Sequence, residues 1–279
     1  MKINASDVAA LIGENPYKSR EEAIEALAIN NGYECPDDEE EQETMNKLVS
    51  SAMGQITEVC QSVSEVDLEE KIEKYEKKIV QTAVEDEVRR SRGEVPFLAK
   101  QCLPSKVVEA IKQNPTQSVE TVIQTFKAEI RQSPLIVEAC QSINKIRGTI
   151  LETQSTDNLQ TKLGQKVDER NSKYYVYHIP RLGFPARIVG KLDGTTKLAG
   201  GDAITEIKTR RRKWATVPKY DIIQLRCYMK LTGIKKGILH EEFPDKTSRT
   251  TNIEWSDSEW SHIEITLIQT LEEVNEKYN

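Results

Sequence analysis

Two carboxylates and a lysine, Asp193, Glu206 and Lys208, occur in a pattern that could do chemistry. They lie in the segments Ile188-Val189-Gly190-Lys191-Leu192-Asp193-Gly194 and Ile204-Thr205-Glu206-Ile207-Lys208-Thr209. Side chains alternate across an extended strand, so Glu206 and Lys208 share one face with Ile204, with roughly 6–7 Å between their Cα atoms. Thr205, Ile207 and Thr209 point the other way. Asp193 closes the preceding strand-like run, thirteen residues before Glu206. That is enough for an antiparallel hairpin through Thr195–Asp202 that turns at Gly200-Gly201. Such a hairpin would carry both carboxylates to one end of a sheet. Carboxylate oxygens bind hard divalent cations such as Mg2+ or Mn2+. A cation held there would lower the pKa of a bound water and offset charge on a phosphodiester in its transition state. The lysine would orient or help deprotonate that water, or stabilise the phosphate. Glu152, near the end of the preceding helical stretch, offers a third carboxylate.

The same stretch runs into a basic cluster, five bases in six residues from Lys208 to Lys213. Arg210, Arg211, Arg212 and Lys213 suit a phosphate backbone, and Trp214 is the aromatic placed for base stacking. Singly, each feature has a plain reading. Glu-x-Lys in a strand is usually a solvated face, Asp-Gly a turn, and a basic run a solvated loop or a localisation signal. Together, in this order and on these elements, they are far more specific.

The elements that must position these residues can be read from periodicity. A short helix begins after Asn4, Ser6 and Asp7 and ends at Gly13 and Asn15-Pro16. A second covers Glu21 to Ala28. From the acidic run Asp37–Glu43, six acids in seven residues, to about Gln132 the pattern is helical and charge-rich. Leu68, Ile72, Tyr75, Ile79 and Ala83 make one apolar face, and Val119, Val122, Ile123, Phe126 and Ile130 another after a Ser118 cap. Both are packing stripes. Ile136, Ala139, Ile143, Ile146 and Ile150 form the face of a helix that carries Glu152. Strands are expected over Lys173–Ile179, Ile188–Asp193 and Ala203–Thr209. A helix follows over Tyr220–Leu231, closed by Gly233, then strands over Lys236–Glu242 and Thr250–Trp255 and a last helix capped by Ser256. Tyr175 and Tyr177 share a strand face as packing, and Trp255 and Trp260 anchor the last helix. The order predicts an α/β (α+β) core with a mixed sheet.

Composition narrows the class. The 279 residues hold 39 Lys+Arg against 45 Asp+Glu, a net charge of −6. This disfavours a general nucleic-acid coat but not a nuclease, whose charges are local. The longest apolar runs fall well short of the ~20 residues of a membrane span. No secretory leader is expected in Met1-Lys2-Ile3-Asn4. Five scattered cysteines without CxxC disfavour a zinc ribbon or a thioredoxin-like site and suit a reducing, intracellular compartment. Neither a GxxxxGK[ST] loop nor GxSxG is present.

The set Asp193-Gly194, Glu206-Ile207-Lys208 and a helix carrying Gln224 and Tyr228 resembles the PD-(D/E)XK nuclease superfamily. It is most similar to the YqaJ-type viral recombinase group, relatives of the bacteriophage lambda exonuclease. Two further segments share the likeness, Ile3 to Gly13 with Asn15-Pro16-Tyr17-Lys18-Ser19 and Gly148 to Glu152, and the helix likeness runs from Tyr220 to Met229 with Leu231-Thr232-Gly233. The resemblance covers roughly residues 1–30 and 145–245. It implies a restriction-endonuclease-like core, a central mixed sheet flanked by helices, formed by residues 1–36 and 134–279 with an inserted helical region at 37–133. It further implies that Glu152, Asp193 and Glu206, with the Ile207 carbonyl, ligate Mg2+, for which Mn2+ would substitute. Lys208 would be the catalytic lysine, Gln224 would support the site and Tyr228 would line it. Ser6 would lie in a pocket for a DNA phosphate.

By family, the reaction is hydrolysis of DNA from a duplex end, for viral recombination or repair in the host cytoplasm or nucleus. A single-strand annealing protein would be the partner, and the chain would form a homo-oligomer. Lys191, counted with the DNA-binding residues, stands where the exonuclease has a small hydroxyl residue. An arginine-bearing arm before the N-terminal signature is replaced at most by Lys2, and the helical insert has no counterpart in compact relatives. The metal site fits an endonuclease, structure-specific or restriction-like, as well as an exonuclease. The rival of a different class is a catalytically idle DNA-end-binding scaffold.

Overall fold

The computed structural model describes residues 1–32, 38–53 and 65–278. Cys35, Cys60 and the Asp37 start of the acidic run lie outside the described residues. In chain order come β1 (Lys2–Asn4), a 3-10 turn (Ala5–Asp7), α1 (Val8–Leu11) and α2 (Arg20–Asn30). The helices α3 (Asp38–Met53), α4 (Glu65–Ser91), α5 (Ser105–Gln113), α6 (Val119–Thr125), α7 (Lys127–Ile130) and α8 (Pro134–Leu163) follow. Then come β2 (Val167–Asp168), β3 (Tyr174–His178), β4 (Arg187–Lys191), β5 (Gly194–Leu198) and β6 (Gly201–Thr209). The chain continues through α9 (Lys219–Thr232), β7 (Lys236–Glu242), β8 (Ser248–Glu254) and α10 (Asp257–Tyr278). Two compact units result, Met1–Glu34 with Glu152–Asn279, and Cys35–Leu151. The boundary expected at 133/134 coincides with the start of α8, whereas the units part inside that helix, at 151/152.

The first unit is mixed α/β, as its order of elements predicts, but its strands form two mixed sheets flanked by helices. One has the order β1-β4-β3, the other β2-β5-β6-β7-β8. In the larger sheet β6 and β7 run parallel and the other pairs antiparallel. The expected hairpin exists with different members. The Ile188–Asp193 run does not pair with β6. It ends as β4 in the smaller sheet, and the chain crosses to the larger one through Leu192-Asp193. There β5, whose residues Thr195–Leu198 were expected to be hairpin loop, pairs with β6 from Gly194↔Thr205 to Leu198↔Gly201. The two-residue turn at Ala199-Gly200 leads into Gly201, whose φ of +110° needs a residue without Cβ. Asp193 therefore sits on a link between sheets.

Both faces of β6 are covered, which removes the solvated-face reading of Glu206-x-Lys208. Ile204 belongs to a core with Leu225, Leu239, Trp260 and Leu267. Ile207 packs on the opposite side with Leu159 and Val167, beneath the end of α8. Helix α9 lies against β3, β4, β6 and β7, so it spans both sheets. It starts after Pro218, carries Asp221 in its first turn, where a negative charge complements the helix dipole, and ends at left-handed Gly233.

In the second unit the apolar stripes pack as expected. Leu68, Ile72, Ile79 and Ala83 of α4 are buried with Val122, Ile130, Ile136 and Ile143. The stripe from Val119 to Ile130 is broken at Phe126 into two short helices, and Ser118 caps the first by accepting the Thr121 N–H at 3.2 Å. Buried Asp86 accepts the N–H groups of Phe97 (2.5 Å) and Leu98 (3.0 Å), fixing the chain beyond α4. Among the described residues no helix is long and apolar enough to cross a membrane.

Gly190 on β4 is where α9 approaches closest. A Cβ there would lie 2.5 Å from the Tyr228 ring and 3.2 Å from the Ala5 Cβ. Gly190→Ala should therefore destabilise the fold by about 1–3 kcal/mol, read as a lowered unfolding midpoint. Gly183→Ala, with open space around it, should stay within about 0.5 kcal/mol.

Candidate active site

Strand alternation on β6 places Glu206 and Lys208 side by side. Lys208 Nζ meets Glu206 Oε1 at 2.6 Å. Asp193 joins them because β5 begins one residue later, and its Oδ2 accepts the Ile207 N–H at 2.8 Å. The carboxylate thus continues the β5–β6 pairing one step past the strand. Its neighbour Gly194 admits no side chain, since a Cβ would fall 2.2 Å from Val167 Cγ1. Glu152 projects from the half of α8 that lies in this unit. That half is held to the end of β7 by Ser155 Oγ and Asn158 Nδ2, each donating to Glu242 at 2.8 Å. Asn171 Nδ2 donates to Glu152 Oε1 at 2.7 Å, and the Asn171 N–H donates to the Leu192 carbonyl at 2.9 Å.

Opposite, Asp221, Gln224 and Tyr228 make one stripe of α9 at i, i+3 and i+7. Lys208 Nζ donates to Gln224 Oε1 at 3.1 Å, and Gln224 Nε2 donates to the Tyr228 hydroxyl at 3.1 Å. Asp221, buried, reaches Lys208 at 3.9 Å and Arg210 at 2.5 Å. Arg210 also pairs with buried Glu241 at 3.0 Å, and Glu241 with Arg249 at 2.6 Å. Charges of alternating sign therefore run from Glu206 through Lys208, Asp221, Arg210 and Glu241 to Arg249.

The electrostatics follow from crowding acids in a dry site. Burial, then the nearby Asp193 charge, pushes Glu206 up to about 8. Asp193 is raised by burial, against Lys208 and the Ile207 N–H. Glu152 is raised by burial and then by Asp193. Burial alone would lower Lys208, but Glu206, Asp221 and Asp193 outweigh it and keep the ammonium charged. Tyr228, raised by burial and by Glu206, stays a phenol.

A divalent cation suits this donor set. Glu206 is 1% exposed, and its Oε2 is buried with no hydrogen-bond partner. The acids are hard oxygen donors, and the Asp193 charge raises both Glu206 and Glu152, a repulsion a cation would relieve. Among the described residues no three acid, histidine or cysteine side chains close on a common point.

The remaining candidates are placed unevenly. Ser6 is exposed in the 3-10 turn, which packs on β4 and α9. Lys191 ends β4, exposed, with its ammonium 4.7 Å over the Tyr174 ring. The basic run is not a unit. Arg210 is turned inward and spent on Asp221 and Glu241, which corrects its expected place among the phosphate contacts. Arg211, Arg212 and Lys213 are exposed. The Arg212 guanidinium stacks 4.0 Å over the Trp214 ring, and Lys213 meets Thr247 at 2.9 Å and Asp245 at 3.4 Å. Sequence reasoning missed four residues. Asp221 was readable, three residues before Gln224 on the same stripe. Glu241 and Arg249 depend on the register of β7 and β8. Asn171 sits in a loop at φ +46°, a left-handed conformation that asparagine tolerates.

No protein-family model and no curated protein matches the sequence. The chain's distant similarities to solved structures include the following. The protein SSO0001 is 18% identical over 72% of this chain and 87% of its own, with a TM-score of 0.37. An alkaline exonuclease from Laribacter hongkongensis, LHK-Exo, is 17% identical over 58% of this chain and 84% of its own, at 0.38. LHK-Exo in complex with dAMP is 18% identical over 62% and 87%, also at 0.38. Likenesses this distant leave the site to be read from its own side chains.

Removing Asp221 would leave Lys208 and Arg210 without their shared acid. Asp221→Ala should destabilise the chain by about 3–5 kcal/mol. Arg212→Ala, on the exposed side of the same run, should cost less than about 1 kcal/mol. Denaturant unfolding of the two variants separates a buried network from a surface one.

Proposed function

We propose that this chain is a Mg2+-dependent deoxyribonuclease of the PD-(D/E)XK kind that degrades linear duplex DNA from an end, in viral recombination or repair. The observation that carries the reading is Asp193. It is locked onto the Ile207 N–H between Glu206 and Lys208, so a half-buried acid, a buried acid and a charged lysine meet where one oxygen of Glu206 has no partner. Such a cluster is costly to bury and has little structural purpose. The core under this proposal is residues 1–36 and 134–279, with 37–133 as an insert that serves docking or DNA clamping.

Asp193 and Glu206, with Glu152 and the Ile207 carbonyl, would hold Mg2+. When bound, the cation would lower the pKa of an attacking water and offset charge on the phosphate. Lys208, kept protonated by its acids, donates and does not accept. Its role in this reading is to orient the water and to stabilise charge that develops on the phosphate oxygens. Gln224 fixes the ammonium, and the Tyr228 phenol fixes Gln224. Arg211, Arg212 and Lys213, with Lys191 and Ser6, are the proposed contacts to the DNA backbone.

A digestion assay with Mg2+ tests the proposal on linear duplex with a 5′-phosphate, linear duplex with a 5′-hydroxyl, and closed circular DNA. Wild type should consume the linear forms and spare the circle, and a preference for the phosphate would implicate Ser6. Asp193→Ala should abolish cleavage while DNA binding persists. Lys208→Ala should lower the rate by about 10²–10³ with little change in affinity. Normal cleavage by Asp193→Ala would refute the site, and nicking of the circle would make the enzyme an endonuclease.

A further inference from the structure

At the exposed end of the basic run lies an aromatic cluster that the proposed hydrolysis does not use. Tyr17, in the loop after α1, is 49% exposed. Its ring meets Trp214 edge-on at 6.1 Å and Tyr220 edge-on at 5.9 Å. Its hydroxyl accepts a hydrogen bond from Arg212 at 3.2 Å, and the Arg212 guanidinium stacks on Trp214.

The cluster is held firmly by its backbone. Tyr17 N–H donates to Asn15 Oδ1 at 2.9 Å. Arg249 Nη1 donates to the carbonyls of Trp214 and Ala215, both at 3.1 Å. Arg249 also pairs with Glu241, so the loop carrying Trp214 is tied to the charged chain that ends at Lys208. Tyr220 directly precedes Asp221, which faces Lys208. The rings are therefore tied through Arg249 and through Tyr220 to the network that includes Lys208.

We propose that Tyr17, Trp214 and the Arg212 guanidinium form a stacking platform for an unpaired nucleotide of the DNA strand. This rests on the nuclease reading and adds to it a preference for frayed or overhanging ends. The chemistry matches the ligand on two counts. Flat rings and a planar guanidinium meet the π-face of any base, and the cationic flank of Arg211, Arg212 and Lys213 meets its phosphate. Stacking of this kind tolerates sequence, as a processive enzyme requires. A strand being cut must leave its duplex partner, and such a platform would hold the freed base.

Binding of the full chain can be measured without cleavage, in EDTA, by fluorescence anisotropy across a salt series. The probes are labelled oligothymidylate of about twelve nucleotides, blunt duplex, and the same duplex with a short overhang. Wild type should favour the single strand and the overhang over blunt ends. Trp214→Ala and Tyr17→Ala should each weaken overhang binding about tenfold with the salt slope unchanged, because no phosphate contact is lost. Trp214→Phe should restore most of it. Thermal unfolding confirms that each variant is folded, and exposed Tyr17 supplies the test if Trp214→Ala is not. Wild-type affinity for the overhang in both alanine variants, or equal losses on blunt duplex and overhang, would overturn the platform and leave the nuclease reading standing. Absence of wild-type binding to every probe would overturn both.

Discussion

Burying a charge is tolerated only where an opposite charge meets it, and this fold buries several along one line. Asp221 and Glu241 are both buried, and each lies between two cations. Isolated, any of these acids would have to neutralise or stay in water. In series they compensate one another, but only if β6, β7, β8 and the first turn of α9 keep their mutual positions. The parallel register that sets Lys208 beside Glu241 and the antiparallel register that sets Glu241 beside Arg249 thus have an electrostatic as well as an apolar basis. The line also delivers a charged Lys208 to a site where burial alone would have lowered its pKa.

At the other end of that line the balance fails. Asp193, Glu206 and Glu152 crowd more carboxyl groups together than Lys208 can offset, so their pKa values rise, and Glu206 retains an unpartnered oxygen. The sheet-to-sheet crossing at Leu192-Asp193 is responsible. A strand that ended in solvent would have left Asp193 exposed, whereas the crossing directs its carboxylate onto the β6 backbone. Gly190 and Gly194 flank the crossing and give room to Tyr228 on one side and Val167 on the other.

Much of this was legible in the sequence, for definite reasons. Period-2 alternation alone put Glu206 and Lys208 together, and the 3.6-residue period put Gln224 and Tyr228 on one helix face. Strand β7 was read with its observed limits, since Lys236–Glu242 is bounded by clear breaks. What failed was information carried by pairing. Strand β5, Gly194–Leu198, has no large apolar residue before Leu198 and reads as a loop until its partner is known. Strand β1 is only three residues long. The basic run looked uniform because a one-dimensional pattern does not reveal that Arg210 faces two buried acids on α9 and β7 while Arg212 faces an indole. Likewise, β4 and β6 lie too close in sequence to suggest that they belong to different sheets.

If Asp193 and Glu206 hold a divalent cation, direct binding tests it without recourse to activity. Metal-free chain would be titrated with Mn2+ by calorimetry at about pH 7 in buffers of different ionisation enthalpy. Glu206, at about 8, is mostly protonated there, so a cation must displace its proton. The account predicts one saturable site that releases about one proton, with affinity rising toward pH 8 and levelling above it. Asp193→Asn and Glu206→Gln should each remove that site. No saturable binding, or undiminished binding by Glu206→Gln, would contradict it.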